Sequence, residues 1–215
     1  MHTFFRPRFI ASIAPAFVIC HPAAVDAAVG HTVGSGSVTA IGASSYSIPI
    51  IAPAGTHGLT PSLSLNYNSG NDNGLIGVGW SIGGLSAITR CPRTWAQDGE
   101  SRDVRNDLSD RFCLGGNKLR FVSGTYGTSG ATYRTEIETF ARITSYGSAG
   151  NGPAYFVVET KDGMIHEYGN SSDSRIESVG QTTARAWAIN KVRDRSDNAV
   201  TFAYTEDATN GSFRV

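Results

Sequence analysis

At 215 residues with 18 basic and 18 acidic side chains, the chain carries no formal net charge, which excludes the broad basic field that captures a polyanion. That length can bury one sizeable core or two small ones. Glycine supplies 25 residues against an ordinary share of about 7%, and no long segment repeats apolar residues at the helical spacing of three and four, so a turn-rich, all-β chain is implied.

Arg6 and Arg8 precede the apolar run FIASIAPAFVIC (9–20), and HPAAVDAAVG then sets small residues before a cut after Ala27 or Ala28. Residues 1–28 read as a secretory signal peptide. Broken by Pro15, the run falls short of the roughly 20 residues that span a bilayer, so the mature chain is expected to be exported without a membrane span. Ile19 is too bulky for the small residue that a lipid-attachment signal sets before its cysteine. Residues 29–45, which include GHTVGSGSVTAIGASS, read as a flexible lead-in, and 46–215 as the folded domain.

From Tyr46 the pattern becomes alternation. Tyr46, Ile48 and Ile50, then Leu63, Leu65 and Tyr67, occupy every second position, and PAGTHGLTP is the turn between two strands. NSGNDNG (68–74) is a loop. GVGWSIGG (77–84) contains Gly79-Trp80-Ser81-Ile82-Gly83, a G-x-S-x-G string of the nucleophile-elbow type. That chemistry needs a strand before the serine and a helix after it, whereas IGGLSAITRCP is glycine-rich and then β-like. His166, the one later histidine, sits in a strand pattern. Gly79, Gly83 and Gly84 therefore read as turn positions, with the Trp80 indole packed over bare backbone as a core anchor. LSAITR (85–90) is a third strand that delivers Cys91.

Cys91 and Cys113 remain once Cys20 leaves with the leader, and an even pair in an oxidising compartment implies a disulfide. The rival is a metal site, of which two cysteines without a nearby histidine are half at best. Such a bridge closes a loop of about 22 residues, for roughly 3 kcal/mol on the chain-entropy account. Between the cysteines, WAQDGESRDVRNDLSDRF is the most charged stretch and reads as a solvated loop with hydrogen-bonded turns. FCLGGNKLRFVSG turns at Gly115-Gly116-Asn117 as a hairpin, and YRTEIETFARITSYG (133–147) alternates like one strand with an exposed face. Its Glu136-Ile137-Glu138 is an E-x-E of the kind used by mono-ADP-ribosyltransferases, but the upstream arginine and serine-rich strand are not convincingly placed. Two glutamates on one face with Ile137 on the other is the ordinary pattern of a half-buried strand.

YFVVETKDGMIHEYG (155–169) is the clearest hairpin, with Lys161-Asp162-Gly163 at its tip. WAINKVRDRSDNAVTFAYT (187–205) repeats its plan, with Trp187 as a second core anchor, and such hairpins hide their apolar faces only by stacking. NYNSGNDNG and RDVRNDLSD lack the spacing of a calcium loop. His31, His57 and His166 are too dispersed for a metal cluster. No catalytic, cofactor-binding or metal residue is assigned; the residues singled out are structural.

The stretch GASSYSIPIIAPAGTHGLTPSLSLNYNSGNDNGLIGVGWSIGGLSAITRCPRT, with DRFCLGGNKL and YRTEIETFARI after it, resembles the amino-terminal region of Salmonella virulence plasmid B proteins. It is similar also to the B component of insecticidal toxin complexes, relatives of RHS/YD-repeat proteins. PSLSLNYNSG, GxGWSxGGLSxIxRC and DRFCL-GG-L occur in order, and the likeness runs from about Gly42 to Tyr204. The resemblance implies a β-rich scaffold without a catalytic centre in this region, part of a sheet shell that encloses or presents a toxic carboxy-terminal segment. In the Salmonella type the enzyme is a separate ADP-ribosyltransferase domain, which nothing here matches. It also implies that 46–215 is an incomplete amino-terminal part of a longer protein.

The expectation is thus an exported, non-enzymatic all-β scaffold of twisted antiparallel hairpins, with little helix. Its partners would be remaining repeat or shell segments or other toxin-complex subunits, with no nucleic acid and no cofactor. The alternative, an extracellular glycan- or protein-binding module, would gather exposed aromatics such as Trp95, Tyr126 or Tyr146 in one concave patch.

Overall fold

The computed structural model describes residues 33–74, 76–207 and 209–215. The expected signal peptide, residues 1–28, and His31 lie outside them. The amino-terminal part is a four-stranded antiparallel sheet. Strand β1 (Ser35–Val38) pairs with β2 (Ser44–Ile50), β2 with β3 (Leu63–Asn68), and, past a minimal pairing of β4 (Asn73–Gly74) with β5 (Gly77–Val78), β3 pairs with β6 (Trp80–Gly83). Residues opposite one another share a face. Tyr46 faces Tyr67, Ile48 faces Leu65 and Ile50 faces Leu63, and Tyr67 and Leu65 in turn face Trp80 and Ile82. The other face is polar, where Asn66 Oδ1 accepts from Ser47 at 2.7 Å and Ser64 at 3.2 Å.

Two expectations change here. Ser35–Val38, read as part of a flexible lead-in, is a strand in register with Ser44–Ser47. Its small residues serve packing: a Cβ on Gly34 would stand 2.3 Å from the Tyr46 hydroxyl oxygen, and one on Gly36 3.3 Å from the ring. Gly83, read as a turn position, lies in β6 opposite Ser64, where a Cβ would meet the Asn66 and Ser64 side chains at 2.3 and 2.5 Å.

The remainder is built around a closed ring of antiparallel strands. After β7 (Ala87–Cys91) and a one-turn helix α1 (Trp95–Asp98) come β8 (Arg111–Leu114), β9 (Asn117–Ser123), β10 (Thr132–Thr135), β11 (Arg142–Tyr146), β12 (Tyr155–Glu159) and β13 (Ile165–Tyr168), each paired with the one before. Then β14 (Arg175–Glu177) precedes the ten-residue β15 (Ala184–Arg193), which bonds to β7 through Ala186–Ala188 and to β13 through Ile189–Arg193, closing the sheet on itself. Closure removes the free edges of those strands. Strands β14 and β16 (Ala199–Thr201) add to β15 outside the ring, and β17 (Thr205–Asp207) with β18 (Ser212–Arg214) forms a small hairpin. Gly115 and Gly116, both at positive φ, make the two-residue turn between β8 and β9 that hairpin twist favours.

The ring's interior is the core. Trp187, fully buried, packs edge-on against Phe112 and Phe156 at 5.4 and 5.0 Å, with Ile88, Tyr133 and Ile143 around them. Its indole N–H donates to the Pro153 carbonyl at 3.1 Å. The stretch 133–147, expected as one strand, is a hairpin whose turn runs through residues 136–141. Asn117 holds that turn by accepting from the Ile137 N–H and donating to the Ile137 carbonyl. The alternation of apolar residues continues across it, and no glycine or proline announces it.

Candidate functional site

The charged stretch between the cysteines is not simply a solvated loop. Two of its carboxylates, Asp98 and Asp110, are buried against cations, because an acidic side chain survives desolvation only beside a partner of opposite charge. Arg90, on β7, and Asp110, just before β8, have side chains only 1% exposed and lie 3.3 Å apart. The guanidinium also donates to the carbonyls of Ala184, Asp107 and Asn151, each at 2.7 Å, so that one side chain ties three segments together. It stands 5.6 Å from the Trp187 ring and 5.9 Å from that of Phe112, within cation–π range. Burial pulls the Arg90 guanidinium below its usual value, and Asp110 opposes that shift. Asp110 in turn accepts the backbone N–H groups of Arg105 and Asp107 at 3.0 and 3.2 Å.

On the outer side of the same strands, Asp98 of α1 accepts from Arg111 Nε at 2.6 Å and Lys118 Nζ at 2.7 Å. Burial works against the charge on Asp98, yet those bonds outweigh it and hold the carboxyl well below the usual carboxylate range. Beside them Cys91 and Cys113 form a disulfide between β7 and β8, with Cα atoms 5.9 Å apart. Sequence reasoning missed the ion-pair nodes; the one available signal was the density of Asp and Arg between two cysteines.

The other singled-out residues fall in two places. Gly79 (φ +78) and Gly84 (φ +88) bracket β6 in backbone regions that favour glycine, and a Cβ on Gly84 would stand 1.8 Å from the Ser62 carbonyl oxygen. Trp187 lies at the centre of the ring, whereas Trp80 is half-buried in the small sheet, its ring 5.3 Å from Tyr67. Trp80 is therefore outside the main core, because β6 belongs to the other sheet.

Ser81 of the G-x-S-x-G string lies on β6, directs its hydroxyl toward the Asn66 carbonyl at 3.4 Å and is followed by β7 rather than a helix. Glu136 and Glu138 sit in the β10–β11 turn, where Ile137 is 75% exposed, so they do not share a strand face. Asp107 and Asp110 are engaged by arginines, and among the described residues no group of three or more His, Cys, Asp or Glu is placed to hold a metal. His57 contacts Asn198, and His166 lies on β13, its pKa lowered by burial. Tyr126 stacks on Phe112, Tyr146 stacks on Tyr155, and Trp95, 73% exposed on α1, joins neither pair.

A different surface stands out. From Gly30 to Thr89 the sequence contains a single Asp, Asp72, and no Glu, Lys or Arg. The four-stranded sheet consequently has no charged side chain on any strand. Among the described residues the outer edge of β1 is unpaired, and the apolar face stays open at its β1–β2 side, with Val38 72% and Ile50 40% exposed. At the other side, Trp80 and Ile82 line an apolar cavity of about 250 Å³ with Leu85, Tyr204, Phe213 and Val215. Exposed edges are ordinarily blunted by charge or proline, and β1, Ser35–Val38, carries neither. Among the described residues no helix is long and apolar enough to cross a membrane.

Comparison with known proteins agrees with this architecture. The mono(ADP-ribosyl)transferase SpvB of Salmonella typhimurium is 24% identical over 181 residues, covering 76% of this chain and 30% of that protein; the chain thus spans less than a third of the curated relatives it matches. The crystal structure of TcdB2-TccC3 superposes with a TM-score of 0.63 at 25% identity, over 82% of this chain and 9% of that one. The amino-terminal domain of the effector protein SpvB from Salmonella typhimurium strain LT2 shares the fold, with a TM-score of 0.57 at 20% identity, over 74% of this chain and 55% of that one. A family profile described as SpvB, Salmonella virulence plasmid 65kDa B protein, matches residues 38–214, and on that match the chain belongs to the SpvB family.

Proposed function

We propose that this chain is an exported, non-enzymatic β-scaffold that works by assembling with further β-sheet segments of a toxin-shell protein. The observation that carries the reading is the charge-free sheet of β1, β2, β3 and β6, with an edge that is free among the described residues and a half-open apolar face. A surface without charge has no means of repelling a neighbouring strand, and covering it removes apolar area from water. The closed ring beside it supplies the rigid body, braced by the buried pairs Arg90–Asp110 and Lys118–Asp98. Family membership supports the toxin context, and the name mono(ADP-ribosyl)transferase belongs to relatives of which this chain spans 30%. Residues 1–28 are the proposed export signal, and the folded unit begins by Ser35.

Sedimentation of the disulfide-intact chain over a roughly hundredfold concentration range tests the assembly role, since association through a surface is governed by mass action. The parent chain is expected to self-associate as concentration rises. The double variant Val38→Lys/Ile50→Lys should stay monomeric with the thermal midpoint of the parent. A parent that remains a compact monomer throughout would overturn the assembly reading and favour the binding module.

A further inference from the structure

Between α1 and the strands β8 and β9 lies a cleft of about 280 Å³, lined by Asp98, Arg111, Lys118, Arg120, Phe121 and Tyr126, among others. Three cations there face one carboxylate. The oxygens of Asp98 are already taken by Arg111 Nε at 2.6 Å, Lys118 Nζ at 2.7 Å and the Thr94 N–H at 3.0 Å. Arg120 is left to the rim, half exposed, with Glu136 at 3.5 Å as its ion-pair partner. Glu136 also accepts a hydrogen bond from Gln97, another lining residue. With Glu136 counted, the cleft holds one excess positive charge, and Phe121, next to Arg120 on β9, is 45% exposed with its ring edge-on to Tyr126 and Tyr133.

Glu136, outside the lining itself, thus holds two of the cleft's donors from the adjoining turn. It sits in the exposed turn 136–141 and is held by a solvent-exposed pair, a kind of contact that stabilises weakly in water. An incoming carboxylate could take the same donors, and a guanidinium fork matches a carboxylate with two parallel bonds. We propose that this cleft binds a carboxylate carried on an aromatic group, which replaces Glu136 on Arg120 and Gln97 and lays its ring against Phe121. Such a ligand is either a free aromatic acid or an acidic residue next to an aromatic one in a peptide segment. The site is independent of the sheet proposed for assembly.

The test is titration of the full chain at low salt, where exposed charges are least screened, with phenylacetate, with the blocked dipeptide acetyl-Glu-Phe-amide and with inorganic phosphate, followed by amide chemical shifts. Saturable shifts at Gln97, Arg120 and Phe121 are expected with a dissociation constant below roughly 1 mM for at least one carboxylate. Arg120→Gln should weaken binding about fivefold or more and Glu136→Gln should tighten it about threefold, the two signs being set by the loss of a donor and of a competitor. Both side chains are partly exposed, and unchanged thermal midpoints will show that the variants fold. Tighter phenylacetate binding assigns the site to a small acid, and tighter dipeptide binding to a protein segment. Absence of saturation by either carboxylate, phosphate binding as tightly as both, or variants that bind like the parent would overturn the proposal.

Discussion

Replacing Arg90 by alanine would leave the buried Asp110 carboxylate with only its more distant cation, Arg102 at 3.4 Å, and the carbonyls of Ala184, Asp107 and Asn151 without this donor. Breaking a buried pair by removing one partner costs about 3 to 5 kcal/mol, so a marked drop in the urea midpoint of Arg90→Ala is expected; an unchanged midpoint would refute the role. The outer node predicts a pH dependence. Hydrogen bonds from Lys118 and Arg111 outweigh burial and depress Asp98, and the Ser109 hydroxyl, helped by its N–H and by Arg102, holds Asp107 at about 2. Both folded values lie below the unfolded value of about 4. Their contribution is therefore complete above about pH 4 and is lost as pH falls through the folded values. Lys118→Met removes one donor from Asp98 and should move the acid limb of the thermal midpoint to higher pH, as calorimetry across pH 2 to 6 would show.

Among the elements, the segment between the cysteines depends most on its staples. Its one short helix, α1, has four residues, far below the length at which a helix holds itself in water. What fixes the segment is the disulfide at its root, Asp98 on Lys118 and Arg111, and Asp110 under Arg90. Cys91→Ser should destabilise the chain by about 2 to 5 kcal/mol. The urea midpoint of the variant, set against that of the oxidised parent, measures the loss, and equal midpoints would defeat the prediction. The hairpins differ in how openly the sequence declares them. Gly115-Gly116 announces its turn, because both positions need positive φ. The turn at residues 136–141 is held by side chains from β9 and by Phe140 at a φ of 58°, which no local turn signal records.

For the molecule as a whole, the closed ring and the open sheet should differ in stability. Strand β15 lies at the seam, bonded on both sides by β7, β13, β14 and β16. Among the described residues strand β1 has one neighbour. Local opening is easiest where backbone groups face solvent and few apolar contacts must be broken. Amide exchange is therefore expected to be slowest along Ala186–Val192 and fastest along Ser35–Val38, and comparable protection in both would contradict this division. Membership of the SpvB family fits the same division, since the matched region, residues 38–214, covers both the sheet and the ring.

The sequence alone determined whatever depends on local pattern: all-β character from glycine content and alternation, the strands about Ile48 and Leu65, the hairpins at Gly115-Gly116 and Lys161-Asp162-Gly163, the cysteine pair, and the ordered motifs that resemble the family. Only the tertiary structure decided ring closure through β15, the division of Trp187 and Trp80 between two sheets, the strand at Ser35–Val38 and the inward turn of Asp98 and Asp110. Each of these rests on contacts between residues far apart in the chain. Strand closure is set by register across the whole sheet, and a carboxylate is buried only where a distant arginine or lysine waits for it, neither of which leaves a period in the sequence.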